Sequence, residues 1–122
     1  MESLAVTQGL SAATAWVEAP SPGATTARVF VSLSNPTMYD VYVMSASTDA
    51  AEAVELREPD GAGGTRVATS LTATAYGTLE LAETGPHLLL KGLRRPLAPG
   101  DRVRLTLATD GGERLTIDAA VK

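Results

Sequence analysis

The sequence has no cysteine, a single histidine at His87, one tryptophan, one phenylalanine, and no apolar run of the ~18 residues that a membrane-spanning helix needs. Without cysteine there is no disulfide scaffold, zinc-finger cluster, iron–sulfur centre or thiol nucleophile. With one histidine, a single chain cannot build a two-histidine metal site. The only basic run is Arg94-Arg95, and the formal net charge is −4, so the positive surface that binds a phosphate backbone is missing and no nucleic-acid partner is expected. Met1-Glu2-Ser3 carries neither a basic n-region nor an apolar h-region, so no signal peptide or membrane span is read in the sequence and a soluble chain is expected. At 122 residues it has the length of one domain, 1–122, large enough to bury a core without staples.

What is present is alternation. In Arg102-Val103-Arg104-Leu105-Thr106-Leu107 apolar and polar residues alternate, and Arg114 to Val121 repeats the pattern. Between them Asp110-Gly111-Gly112 supplies the positive φ angles of a tight turn, which predicts a C-terminal hairpin. Upstream, Arg28 to Ser34 alternates and stops at Asn35-Pro36, and Tyr39 to Met44 reads as a central strand apolar on both faces. Ala12 to Val17, Ala53 to Leu56, Arg66 to Ser70, Thr78 to Leu81 and His87 to Lys91 are further strands. Turns fall at Pro20 to Gly23, Pro59 to Gly64, Gly85-Pro86 and Pro96 to Asp101, and Ala46 to Ala53 is the one candidate helical turn. About eight or nine short strands at this spacing predict an all-β sandwich or barrel rather than alternating β and α units. Arg102, Arg104, Arg114 and Asp118 are read as charges that guard sheet edges, and a monomer is expected.

No catalytic constellation stands out. Glu55 and Glu58 flank Arg57 in a charged stretch that a solvated strand would carry anyway. No serine sits in a Gly-x-Ser-x-Gly elbow, and Gly61-Ala62-Gly63-Gly64 lacks the Gly-Lys-Ser/Thr of a phosphate loop, so it reads as a hairpin tip. The chain is not expected to be an enzyme.

The run from Gly85 to Val103, with its His87-Leu88-Leu89, Gly92-Leu93-Arg94, Pro96-Leu97 and Gly100-Asp101, resembles the signature stretch of the periplasmic copper chaperone family A, also called the family-461 domain of unknown function. Ala15-Trp16-Val17, Val31 to Pro36 and Val54-Glu55-Leu56-Arg57-Glu58 are similar to other elements of that family, so the resemblance spans roughly Leu10 to Val121. It implies a single Greek-key β-sandwich of cupredoxin-like or immunoglobulin-like type, an extracytoplasmic location (periplasmic or secreted) in a mature form without a signal peptide, copper(I) as the metal, and a partner in a copper pathway. In the family the metal is held by two histidines and two methionines, soft donors suited to copper(I). Carried over, these positions are Arg57, Thr65 or Val67, His87 and Leu89, and only His87 keeps a donor; no cofactor is expected through the inherited set.

Two further arrangements follow from the residues. Met38 and Met44 flank Tyr39 to Val43 and are candidate displaced ligands for a site with His87. Alternatively Arg57 and His87 form a cationic mouth, paired with Glu55 or Glu58 or open to an anion. His87 also has a purely structural reading: it follows Gly85-Pro86 at a strand entrance, where an imidazole satisfies a turn carbonyl. The functional expectation is therefore a copper-chaperone-like domain with a degenerate metal site, the alternative being a metal-free interaction module with Thr65 to Tyr76 as a contact loop.

Overall fold

The alternation becomes a core. In β9 (Arg102–Thr109) Val103, Leu105 and Leu107 are buried, and in β10 (Arg114–Val121) Ile117, Ala119 and Val121 are, so each strand of the C-terminal hairpin turns one face inward. The structure, a computed structural model, describes residues 10–122; Met1 to Ser3, read above for their lack of signal features, lie outside it. The remaining strands are β1 (Ser11–Val17), β2 (Thr26–Ser34), β3 (Val41–Thr48), β4 (Ala51–Pro59), β5 (Thr65–Val67), β6 (Leu71–Ala73), β7 (Thr78–Leu81) and β8 (His87–Leu93). Among the described residues no helix is long and apolar enough to cross a membrane.

The fold is the expected all-β sandwich, built as one mixed sheet curled on itself in the order β5-β4-β8-β2-β1-β10-β9-β3-β6, with β7 on β2. Every pairing is antiparallel except that of β1 with β10, where Trp16 lies opposite Ala120 and Val17 opposite Val121. Leu33, Val29, Leu88, Leu90, Leu105, Leu107 and Val17 fill the space between the two halves. β3 and β4 pack together across the open side without sharing a ladder.

Four expectations need correction. Arg66 to Ser70 is not one strand: β5 pairs with β4 and β6 with β3, because the chain turns inward at buried Ala68 and crosses from one half of the sandwich to the other. The described residues thus hold ten strands, and half of Thr65 to Tyr76 is ladder rather than loop. Ala46 to Ala53 forms no helical turn; β3 continues to Thr48 against β9, Asp49-Ala50 turns, and β4 begins at Ala51, since pairing with β9 satisfies more backbone groups than one isolated turn. β3 carries apolar residues on both faces as read, but only one of them is buried, with Val43 inside and Tyr42 and Met44 exposed. Finally, β9 and β10 are interior strands; Arg104 and Asp118 are cross-strand partners joined at 3.1 Å, and the strands with one neighbour are β5, β6 and β7.

At one end of the sandwich the crossover from β2 to β3 is held by a buried side chain, Asn35, 2% exposed. Its Nδ2 donates to the carbonyls of Tyr39, Ala73 and Thr74 at 2.8, 2.9 and 3.1 Å, while its Oδ1 accepts from the Thr37 N–H at 3.0 Å and the Thr37 hydroxyl at 2.7 Å. One amide thus ties β2, the crossover and the β6–β7 turn together. Asn35→Ala leaves several of these groups unpaired in a dry site and should cost about 3 kcal/mol, read as a lower urea midpoint with an unchanged m-value.

Candidate functional site

β4 and β8 pair so that Arg57 lies opposite His87 and Glu55 opposite Leu89, while β5 places Val67 opposite Arg57. Residues opposite one another in a ladder project from the same face. Since Leu56, Leu88 and Leu90 point into the core, Arg57, His87, Leu89, Val67 and Thr65 share the outer face of this half of the sandwich. All the positions carried over for the metal are therefore brought together. Met38 and Met44 are not brought to them: both are exposed, and Met44 projects from the outer face of β3, on the other half.

What fills the assembled face is an ion-pair cluster. The Arg57 Nη1 donates to Glu55 Oε1 at 3.1 Å, Nη2 donates to the Thr65 hydroxyl at 2.9 Å and to the Thr65 carbonyl at 3.0 Å, and Nε reaches the same hydroxyl at 3.2 Å. Glu55 Oε2 in turn accepts from Lys91 Nζ at 3.3 Å. Of the two acids offered as partners it is Glu55 that pairs with Arg57; Glu58, next along β4, pairs with Arg66 at 2.8 Å. The guanidinium therefore does not stand open to an anion; it links β4 to the edge strand β5.

His87 is 5% exposed, and its Nδ1 lies 3.1 Å from the Gly85 carbonyl. A carbonyl only accepts, so in the neutral ring Nδ1 carries the proton and Nε2 presents its lone pair, for which the described residues supply no hydrogen-bond donor. The expected turn-carbonyl contact is thus present, and it leaves the other nitrogen unpartnered. Along the row His87 meets Phe30 edge-on, ring centres 6.1 Å apart, and Phe30 meets its cross-strand partner Trp16 at 4.9 Å. Arg28 covers Phe30 at 5.3 Å, and its own guanidinium charge is reinforced by hydrogen bonds to Glu18 at 2.8 and 2.9 Å, which raise its pKa despite the cost of desolvation. Sequence reasoning missed this aromatic flank. Its signal was an aromatic residue on the polar side of an alternating strand, between Arg28 and Ser32.

The chemistry available is limited by donors rather than by charge. Side chains one ladder step apart stand about 4.8 Å from each other, where two unit positive charges at an effective dielectric constant of 20 repel by about 3.5 kcal/mol. Glu55 opposes part of that charge. Arginine, valine and leucine, however, offer no lone pair to a metal, and the Thr65 hydroxyl is a hard oxygen already bonded to Arg57, so among these positions only the imidazole suits copper(I). Among the described residues no group of three or more His, Cys, Asp or Glu side chains is placed to hold a metal ion. The inherited positions do not fit copper(I).

Comparison with known proteins bears on this face. The family profile described as "Putative lipoprotein LpqE-like" matches residues 10–121. The chain is 32% identical over 118 residues to "Putative lipoprotein Lxx21020" of Leifsonia xyli subsp. xyli, covering 93% of this chain and 70% of that protein. Among solved structures, the copper(I) form of DR1885 from Deinococcus radiodurans matches at a TM-score of 0.77 and 32% identity, over 97% of this chain and 83% of that one. The copper-bound PCuAC domain from PmoF2 matches at a TM-score of 0.82 and 18% identity, over 93% of this chain and 92% of that one, a likeness of fold.

Two outcomes are expected from this geometry. Arg57→Ala removes a partly exposed ion pair and the bonds to Thr65, so it should destabilise by about 1–2 kcal/mol and speed amide exchange in β5. At the β4–β5 tip the Asp60 carboxylate accepts N–H bonds from Ala62 and Gly64, which hold it below the ordinary 3.8. The tip is therefore fully ordered above that value and loosens only as pH falls through the lower folded one, as Ala62 and Gly64 amide shifts followed against pH will report.

Proposed function

The chain belongs to the LpqE-like, PCuAC copper-chaperone family, and from that premise we propose that it is an extracytoplasmic domain of a copper-delivery pathway whose own metal locus has been converted to a metal-free contact surface. The observation that carries the reading is the Arg57 guanidinium, seated in the ladder beside His87 and bonded to Glu55 and Thr65. Two matched relatives are named as copper-bound, and at the corresponding face this chain has one donor side chain where their family uses four. The lipoprotein descriptions support a place outside the cytoplasm. Membership of a copper-chaperone family supports a non-catalytic role.

Acting without its own copper, the domain contributes shape and charge to a partner of the pathway. The Arg57–Glu55–Lys91 chain fixes the outer face in one arrangement with no ligand needed. A second reading rests on one observation, the unpartnered Nε2 of His87. A neutral imidazole lone pair is a copper(I) donor, and a partner that supplied thioethers would complete a shared site.

Titration with silver(I) and copper(I), followed on the His87 ring resonances, separates the readings. The metal-free reading expects no perturbation at stoichiometric metal, and tight binding by the domain alone would overturn it. The variant combining R57H, V67M and L89M restores donors at the matched positions and should bind silver(I) stoichiometrically. If it folds yet binds no better than wild type, the assignment of the old metal positions to Arg57, Val67 and Leu89 is wrong.

A further inference from the structure

β8 runs from His87 at one end of the sandwich to Leu93 at the other, about 20 Å away. At that far end the loop between β1 and β2 and the loop between β8 and β9 enclose a groove of about 440 Å³, within the range of ligand clefts. Its walls carry Pro20, Pro22, Pro96 and Pro99, four of the seven prolines in the chain. Proline fixes φ and has no N–H, so these walls are stiff before anything binds, which lowers the ordering cost of docking. The loop bases are pinned as well: Leu93 N–H donates to Thr25 O at 3.0 Å, Gly100 N–H to Val121 O at 2.9 Å, and Ala98 N–H to the Asp101 carboxylate at 2.9 Å. Leu97 is buried and anchors the β8–β9 loop to the core.

Unpaired cations gather at this end. Among the described residues Arg28, Arg57, Arg66, Lys91 and Arg104 are engaged by carboxylates, whereas Arg102, Arg114 and Lys122 are not, and of these three only Arg114 lies at the opposite end. Arg94 and Arg95, which line the groove and are exposed, have no carboxylate within ion-pair distance among the described residues, and Arg95 only reaches the Arg102 carbonyl at 3.3 Å. In a protein of net charge −4, cations left uncompensated beside a preformed groove mark a place for a negative partner. Nothing here suits a bilayer. The large exposed apolar side chains, Met38, Tyr39, Tyr42, Met44, Val67 and Tyr76, all lie on other parts of the surface, so this end has no residue to insert among acyl chains.

We propose that this proline-walled groove is a second binding surface, which takes an extended acidic segment of a partner protein whose carboxylates pair with Arg94 and Arg95. The backbone of the segment lies between the two loops, and each guanidinium offers a two-pronged contact to a carboxylate. This surface is independent of the Arg57 face and acts whether or not that face ever meets copper.

The test uses the whole chain and a short fluorescein-labelled peptide rich in glutamate and proline. The peptide should shift the amides of Ala19 to Ala24 and Leu93 to Leu97 and bind more weakly as salt rises. The double variant R94E/R95E, at exposed positions, should lose at least about tenfold in affinity, a difference of about 1.4 kcal/mol. R114E removes an exposed cation at the opposite end of the sandwich and should leave binding unchanged. Equal loss in R114E would reduce the effect to overall charge and overturn the proposal. So would shifts elsewhere on the surface, no binding at all, or binding of phosphatidylglycerol vesicles through the same amides in preference to the peptide. Should R94E/R95E fold poorly, R94Q/R95Q answers the same question.

Discussion

The register of β4 against β8 is the constraint from which the rest follows. Leu56, Leu88 and Leu90 occupy the densest part of the core at 4%, 1% and 0% exposure, and they alternate with Arg57, His87 and Leu89. Because side chains reverse face at every residue, a one-position slip of β4 would drive the Arg57 guanidinium inward and Leu56 into water, and a slip of β8 would expose Leu88 and Leu90, penalties that local rearrangement would not offset. The pairing of Arg57 with His87 is thus enforced by the hydrophobic core and not by any attraction between two groups of like character. A substitution at position 57 changes what the face does without altering where the face is. A scaffold of this kind can therefore change the residue at position 57 and keep its shape.

Several parts of the fold were legible in the sequence, and the reasons are local. β9 and β10 could be read because alternation over eight residues and an Asp-Gly-Gly turn both report on neighbours in the chain. The Gly85 carbonyl contact of His87 followed from Gly85-Pro86 before a strand. β5 and β6 were merged because three-residue strands carry no period, and what separates them is the crossing of Ala68 between the two halves. The roles of Arg102, Arg104, Arg114 and Asp118 were misread for a related reason: strand order decides which strand is an edge, and order is a long-range property. At the site, the matched positions were found through family likeness. The bonds that close it, from Arg57 to Glu55 and Thr65, needed the register of β5 and could not be read along the chain.

The two ends of the sandwich divide the chemistry. Near His87, cations and carboxylates neutralise one another in short chains, and the aromatic pair Trp16–Phe30 extends the row. Near Pro96 the polar groups that are satisfied belong to the backbone, while the arginine side chains extend into solvent. Rigidity at both ends has different sources: a charge-bonded lattice of side chains at one, and proline with capped turns at the other. Arg94 and Arg95 stand without carboxylate partners among the described residues although the net charge is −4, so the sign of the total does not predict the sign of each surface.

The parallel pairing of β1 with β10 has a temporal consequence. The sheet closes only when the strand that ends at Val121 meets the one that begins at Ser11, with further bonds from Ala19 N–H to Lys122 O and from Lys122 N–H to Val17 O. Loop closure over nearly the whole chain must precede the contacts that reward it, which gives a high contact order and slow, late-committing folding. Until residue 121 is available, β1 has only one neighbour and the core cannot complete. A polypeptide threaded through a membrane from its N-terminus would stay pliable during transit and acquire its barrier to unfolding only at the last strand.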